Sequence, residues 1–511
     1  MREAAAEDSA GDTARGRGAS PPAAIVLAAG KSTRMRSKLP KALHPVCGRP
    51  LLAHILDALQ NAGVARRVLV VGHQADVLQS RMDETFGPGT NAYALQTEQK
   101  GTGHAALMAA PALAGHAGTV LVVPGDTPLL TAGILRDLVT THNTVGAAAT
   151  LLTAVLPGDA GSYGRIVRDP GGAVVGIVEA RDATPEQRAI REISTSIYAF
   201  SAPALFRSLH DLRPDNAQGE LYLTDVIGLL RAAGQTIAAI TSPDPDVVLG
   251  VNTRVELALV EARMRARILD DLMLSGVTVS DPATTYVEAT VRVGQDTTLL
   301  PFTFLQGETV IGEDCVIGPQ THVSGSRLGD RVTARACFIA GSEVGDGCRI
   351  GPFANLRPGT VLHDNVKIGD FVETKAATLH EGVSAGHLAY LGDAEVGART
   401  NIGAGTITCN YDGRQKHQTF IGADAFVGSD TILVAPVHVD NGAVTAAGSV
   451  ITDDVPAGAL AIGRERQTNK EGWAARRRDE GRGMRDEKGK ELHTHPSSLA
   501  PHPSSAEGTE R

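Results

Sequence analysis

Between Gly276 and residue 463 the chain repeatedly places an aliphatic residue directly before a glycine, in groups whose members are six or eighteen residues apart. Val293-Gly294, Ile311-Gly312 and Ile317-Gly318 set their glycines 18 and 6 residues apart. Val344-Gly345, Ile350-Gly351 and Ile368-Gly369 use 6 and 18. Val396-Gly397 with Ile402-Gly403, and Ile421-Gly422 with Val427-Gly428, return to 6. One apolar position per six residues is the period of a parallel β-helix. Each coil of about 18 residues points its aliphatics inward, and no coil is stable without its neighbours. In this reading glycine permits the corner that follows each aliphatic. A flexible linker or an ordinary sandwich has no reason to hold an aliphatic in phase from Val293 to Gly428. A break in phase at Asn410–Thr419 predicts a loop leaving the coil.

Composition agrees and excludes other classes. The chain has 57 glycines in 511 residues but only 10 Phe, 7 Tyr and 1 Trp, with 42% hydrophobic residues. Such a core is built from small and branched aliphatics, and disorder is excluded for most of the chain. Net charge is −9 without a basic face, which argues against nucleic acid or anionic membrane as main partners. No apolar run approaches the length of a membrane span. Five cysteines (47, 315, 337, 348, 409) form no C-x-x-C pair, as expected of a reduced, cytoplasmic protein. Residues 1–22 read as a disordered extension. Residues 464–511, with a charge run at 476–491 and a Pro/Ser/His-rich end, read as a C-terminal arm and disordered tail.

Residues 23–252 follow another rule. Strand-like runs at Ala24–Ala29, Val68–Val71 and Val120–Val123 alternate with helical patterns at Leu51–Asn61, Gln74–Met82 and Leu129–Thr141. That alternation predicts a parallel, doubly wound sheet. Residues 253–276 form a linker, with a helix predicted over Arg254–Leu274 and a stop at Gly276. The β-helix then occupies 277–463.

Two stretches carry chemistry. Leu27–Lys41, LAAGKSTRMRSKLPK, leaves the first strand at its C-terminal edge, where open α/β sheets bind ligands. Gly30 lets the backbone approach a phosphate, Ser32 and Thr33 offer hydroxyls and amides, and Lys31, Arg34 and Lys41 can neutralise a triphosphate. The loop is neither a Walker loop nor a dinucleotide G-x-G-x-x-G. Asp126, just past the third strand, and Asn252 are oxygen ligands of the kind Mg²⁺ takes; a turn or cap aspartate fits Asp126 equally well. In the repeat, Arg357, Lys375, His387, Tyr390, Asn401, Asn410 and Tyr411 interrupt the hexapeptides. His387 has the neutral-range pKa a general base needs. Cys409, with no base paired to it, is a bystander.

The pattern L-A-A-G-x-x-T-R-M-x-x-x-x-P-K resembles the signature of sugar-1-phosphate nucleotidyltransferases. With QTEQKGTGHA, GSYGRI, GIVEARDATPEQ, NAQGELYLTD and the β-helix, the chain from Ala23 to Trp473 resembles a bacterial bifunctional family. That family is the N-acetylglucosamine-1-phosphate uridylyltransferase / glucosamine-1-phosphate acetyltransferases. The resemblance implies a Rossmann-like α/β nucleotidyltransferase domain followed by a left-handed parallel β-helix, assembled as a homotrimer acting on small molecules. It implies that Leu27, Ala28, Ala29, Gly30, Gln96, Gly101 and Thr102 hold uracil and ribose. Arg34 and Lys41 would act on the phosphates, and Gly125 would line the substrate site. Asp126 and Asn252 would bind Mg²⁺, while Gly164, Glu179 and Ser194 would contact the N-acetylglucosamine. On the β-helix, Arg357 and Lys375 would anchor the sugar phosphate, and Tyr390 and Asn401 the sugar. His387 would be the base in acetyl transfer. Ala404, Asn410, Tyr411, Ser429, Ala447 and Arg464 would line the acetyl-CoA site, with UTP the co-substrate of the other reaction.

The chain departs from the family in three places. Glu192–Ile197 reads EISTSI against the family's E-I-N-T-G-I, so Ser194 replaces Asn and Ser196 replaces Gly, which predicts weaker sugar binding. Ala376 stands where a second Lys is common, and Ser32 where Gly is common. A monofunctional nucleotidyltransferase with a structural β-helix would not need Arg357, Lys375, His387 and Tyr390. A non-catalytic repeat scaffold would not need the Leu27–Lys41 loop or Asp126.

Overall fold

The apolar run Ala23–Leu27 forms β1, an inner strand of the first sheet, with its first four residues buried. A computed structural model describes residues 20–30 and 32–478; Lys31, most of the N-terminal extension and the tail from 479 lie outside the described residues. The strands are β2 (Pro45–Val46), β3 (Arg49–Pro50), β4 (Arg66–Val71), β5 (Ala92–Leu95), β6 (Thr119–Pro124), β7 (Ala149–Val155), β8 (Arg165–Arg168), β9 (Val174–Val178), β10 (Glu192–Ser201) and β11 (Ile237–Thr241). Helices are α1 (Leu51–Asn61), α2 (Ala75–Phe86), α3 (Thr102–Met108), α4 (Ala132–Val145), α5 (Pro185–Arg188), α6 (Ala202–Asp211), α7 (Asp225–Ala232) and α8 (Arg254–Leu274).

The main sheet runs β11-β7-β10-β6-β1-β4-β5, with β8 and β9 attached at β10. Aliphatics on its two faces form two cores, one under α1, α2 and α4, the other under α3, α6 and α7. The sheet is not wholly parallel as the alternation predicted. β10 runs antiparallel to both β6 and β7, and β8–β9 is an antiparallel hairpin. A strand flanked by two others on one sheet shows the same hydrophobic run in either direction, so the pattern is blind to polarity.

Helix α8 spans the residues predicted for it. Thr253 and Glu256 close a capping box at its start, and Gly276 at φ 99 follows its end. It meets the β2–β3 hairpin, where Cys47 N–H donates to Glu261 Oε2 at 2.8 Å, while Ala289 N–H from the first coil donates to Cys47 O at 2.9 Å.

From Thr278 each strand pairs in parallel with the strand three further on, until Val444–Thr445 pairs with Leu460–Ala461 two further on, giving three sheets of 11, 10 and 9 strands: the prism of a left-handed β-helix. Coil length varies. Thr298 lies over Val316 and Phe426 over Val444, steps of 18, whereas Thr333 over Arg349 is a step of 16. Asn401 over Phe426 is a step of 25, because the loop predicted at Asn410–Thr419 leaves there. The core is a single column of aliphatics, cysteines and alanines. Buried threonines satisfy corner carbonyls, as where Thr297 Oγ1 donates to Gly312 O at 2.8 Å and accepts from Cys315 N–H at 3.0 Å.

Only two of the repeat glycines, Gly318 at φ 105 and Gly351 at φ 98, are left-handed as the corner reading expects. The left-handed residues of the coils are mostly not glycine: Asp296, Asp314, Phe353, Phe371, Leu388 and Asp430 all have φ between 45 and 59. The other eight glycines after the aliphatics sit where coils touch. A Cβ on Gly403 would lie 2.5 Å from Ser429 N, and one on Gly294 2.6 Å from Gly312 C. Close stacking, not torsional freedom, selects glycine there.

Candidate active sites

The C-terminal ends of β6, β1 and β4 lie side by side, Leu27 opposite Pro124 on one flank and Val70 on the other. The chain leaves β1 and β6 towards the same opening, the place where α/β sheets form a crevice. Gly125 N–H donates to Leu27 O at 2.8 Å, and a Cβ on Gly125 would sit 2.9 Å from that oxygen. Val251 N–H donates to Asp126 O at 2.9 Å, so one backbone bond brings Asn252 to Asp126 across the sequence. The result is a cleft of about 750 Å³.

Leu27, Ala28, Ala29, Gly30, Arg34, Lys41, Gln96, Gly101, Thr102, Gly125, Asp126 and Asn252 all line it. Four of them form one charged cluster. Lys41 Nζ donates to Asp126 Oδ2 at 2.6 Å and to Asn252 Oδ1 at 3.2 Å, and Arg34 Nη2 donates to the same amide oxygen at 3.0 Å. Two hard oxygens therefore converge on one cation. Glu256 accepts from the N–H groups of Asn252 and Thr253, each at 2.7 Å, which holds Asn252 at the start of α8. Gln99, which the sequence did not single out, lines the cleft and donates from Nε2 to Ala29 O at 2.7 Å, tying the second loop to the first. Gly101 is at φ 104, where a Cβ would meet Leu221 O at 2.5 Å. Ser32, where the family often has Gly, stands at φ 52.

Gly164, Glu179 and Ser194 do not line the cleft. Ser194 is 4% exposed, and its Oγ hydrogen-bonds Tyr198 Oη at 2.9 Å. Thr224 Oγ1 donates to Glu179 Oε1 at 3.2 Å, and burial raises the Glu179 carboxyl above the usual carboxylate range. Burial likewise drives the Tyr198 phenol far up. The neighbours that do reach the cleft are Ser162, Tyr163, Thr195 and Ser196. Arg165, 2% exposed, holds the loop above them by donating to the carbonyls of Tyr163, Gly161 and Arg188.

The second site wraps one corner of the β-helix. Asp370 pairs with His387 in the parallel register. Extending the registers of Ser384 with Asn401, and of Asn401 with Phe426, places Ala404 over His387 and Ser429 over Ala404; Phe426 with Val444 then puts Ala447 next. The presumed base and three acetyl-CoA candidates thus form one column, with small residues beyond the imidazole. His387 Nδ1 lies 4.0 Å from Asp370 Oδ2, and its side chain is 65% exposed.

Around the corner, the adjacent face carries Lys375 over Gly392 and Tyr390 between Glu373 and Ile407. Arg357 Nη1 donates to Glu373 Oε1 at 2.8 Å. Asn410 donates to Asp393. Asn401 pairs with Ser384 on the face of His387. Tyr411 bridges Lys416 across the emergent loop, which sets Lys416 beside Lys375. Contact with the Lys416 ammonium lowers the Lys375 pKa. No repeat pattern could point to Lys416, because it sits in the loop that breaks the repeat. It provides a second positive charge near the position where Ala376 replaces lysine. Arg464 belongs to a separate unit that begins at Gly463.

Residues 24–195 match the MobA-like NTP transferase domain, residues 341–376 the bacterial transferase hexapeptide, and residues 418–453 the hexapeptide repeat of succinyl-transferase. The bifunctional protein GlmU of Pelobacter propionicus is 51% identical over 455 residues, 89% of this chain and 98% of that protein. The chain belongs to the GlmU family. GlmU proteins of an Exiguobacterium species and of Heliobacterium modesticaldum are 48% and 49% identical, each over 89% of this chain and 99% and 98% of their own. As a GlmU-family enzyme it has both a uridylyltransferase and an acetyltransferase activity. Among the described residues no helix is long and apolar enough to cross a membrane.

If Lys375 anchors the sugar phosphate as the resemblance implies, then, because Lys416 depresses Lys375, the KM for the sugar phosphate should rise with pH earlier than an ordinary lysine would allow. Lys416→Met removes the like charge, so the alkaline limb of log KM against pH should move to higher pH while KM at neutral pH increases. An unmoved limb would separate the two lysines.

Proposed function

We propose that the two sites act in series on one sugar phosphate in the cytoplasm, yielding UDP-N-acetylglucosamine as a precursor for the cell envelope. The observation that carries this reading is that one chain holds both the Arg34–Lys41–Asp126–Asn252 cluster in a nucleotide-sized cleft and the His387 column with lysines and arginine around its corner. At the β-helix, Arg357, Lys375 and Lys416 hold the phosphate of glucosamine-1-phosphate, while Tyr390 and Asn401 hold the ring. The sugar amine attacks the thioester carbonyl of acetyl-CoA, His387 takes the amine proton, and the CoA thiol leaves. Asp370, one coil below, stabilises the imidazolium that forms. Ala404, Asn410, Tyr411, Ser429 and Ala447 bind acetyl-CoA.

In the cleft, a phosphate oxygen of N-acetylglucosamine-1-phosphate attacks the α-phosphorus of UTP and pyrophosphate leaves. Arg34 and Lys41 neutralise charge as it shifts, and Gln96, Gly101 and Thr102 position the nucleoside. Asp126 and Asn252 would hold Mg²⁺: their oxygens already converge on one ammonium, and this cation takes one or two protein oxygens beside substrate phosphates. When bound it supplies charge neutralisation on the triphosphate. The domain boundaries of the sequence reading, 23–252, 253–276 and 277–463, assign one reaction to each side of the linker.

A homotrimer completes the acetyltransferase site. Supporting it, Phe353, Phe371 and Leu388 form an exposed apolar row on the corner beside His387, at 57%, 58% and 61% exposure, with the two phenyl rings 5.2 Å apart. Purified protein given glucosamine-1-phosphate, acetyl-CoA, UTP and Mg²⁺ should release both free CoA and pyrophosphate. Pyrophosphate formed only from N-acetylglucosamine-1-phosphate, with no CoA released, would favour a monofunctional enzyme.

A further inference from the structure

β10 pairs with β7 in regular register up to Ser194–Thr153 and resumes at Tyr198–Leu151, so three residues, 195–197, face one. The bulge is closed from inside: Thr195 Oγ1 donates to Leu152 O at 2.8 Å and accepts from Ile197 N–H at 3.2 Å. Its apex is Ser196, exposed, at φ 61, on the cleft wall near Ser162 and Tyr163. Bulges re-aim side chains at sites. At this φ glycine is the unstrained residue, so a side chain here is kept at a conformational cost. Meanwhile the Ser194 hydroxyl is buried inside the bulge, bonded to Tyr198 Oη at 2.9 Å and accepting from Ser196 N–H at 3.4 Å.

We propose that Ser196 is a specificity-determining residue of the uridylyltransferase site, its hydroxyl hydrogen-bonding a ring hydroxyl of the sugar phosphate. This rests on the functional reading above. The sugar-side contact expected of Ser194 has moved two residues along the bulge, from a buried strand position to its exposed apex. A hydroxyl both donates and accepts, so it pairs with a sugar hydroxyl in either sense and gives nothing to a deoxy position.

The test uses the full chain and the pyrophosphate assay with N-acetylglucosamine-1-phosphate and its 3-deoxy, 4-deoxy and 6-deoxy analogues. Ser196→Ala and Ser196→Gly should each raise the KM for the sugar phosphate about two- to tenfold, the worth of a neutral hydrogen bond. The KM for UTP and the rate of CoA release should not change. With one of the three analogues the parent should already show the raised KM and the substitutions should add nothing. Ser196→Gly should also melt higher than Ser196→Ala, because only glycine relieves φ. The proposal is overturned if both single substitutions leave the sugar KM unchanged, if the UTP KM moves in step, or if the penalty persists with all three analogues. A parent that releases no pyrophosphate at all would instead overturn the functional reading.

Discussion

His387→Ala should cut acetyl transfer by about two to four orders of magnitude, the range for losing a general base, while uridylyl transfer continues at the parent rate. Among the described residues the proposed base has no imidazole substitute in its column. Its column offers Asp370 on one side and Ala404 on the other, and the bonded neighbours around the corner are cationic or already paired, as Asn410 is with Asp393. The imidazole side chain is 65% exposed, so its removal opens no cavity and the fold should survive. Following CoA thiol and pyrophosphate in parallel decides the outcome. Loss of both activities would mean that the two sites are one functional unit. Asp370→Asn should give a smaller loss of the same reaction, because the carboxylate stands 4.0 Å away and acts on the imidazolium without holding it by a hydrogen bond.

The mirror-image result is expected from Asp126→Asn. Uridylyl transfer should fall by about two orders of magnitude or more, since the change removes the single negative charge at the point where Lys41 and Asn252 meet. Acetyl transfer should be untouched. The substitution keeps the shape of the side chain, so a loss belongs to charge and not to packing. Titrating Mg²⁺ at fixed UTP should show the half-saturating concentration displaced upward by at least tenfold, which would identify Asp126 as a cation ligand. An unchanged Mg²⁺ dependence with reduced rate would confine it to holding Lys41.

The extent of α8 was legible because its ends carry side-chain and backbone signals local to the sequence: Thr253 with Glu256, then Gly276. The β-helix was legible for a related reason. Each six-residue step must bury one aliphatic, so the period survives variation between the faces, and even the step of 25 at Asn401 announced itself as a break in phase. Most first-site residues fell in loops after strands, and the structure does gather Arg34, Lys41, Asp126 and Asn252 in one cleft.

What stayed hidden depends on contacts between distant segments. The direction of β10 leaves no trace in its composition, and its bulge at 195–197 follows from the register of β7. That bulge decides that Ser196 faces the cleft while Ser194 does not. The repeat glycines were predictable in position but not in purpose, since only the neighbouring coil reveals that Gly403 answers to Ser429 and not to its own torsion. Lys416 meets Lys375 because a loop folds back, and no periodicity describes a loop.

By itself, then, the sequence determined two architectures, their order along the chain, and the side chains able to do phosphate and base chemistry, because periodicity and loop composition are local properties. Tertiary structure alone decided which of those side chains share a surface. Hydrogen-bond register and coil stacking set that, and both are fixed between residues tens to hundreds of positions apart.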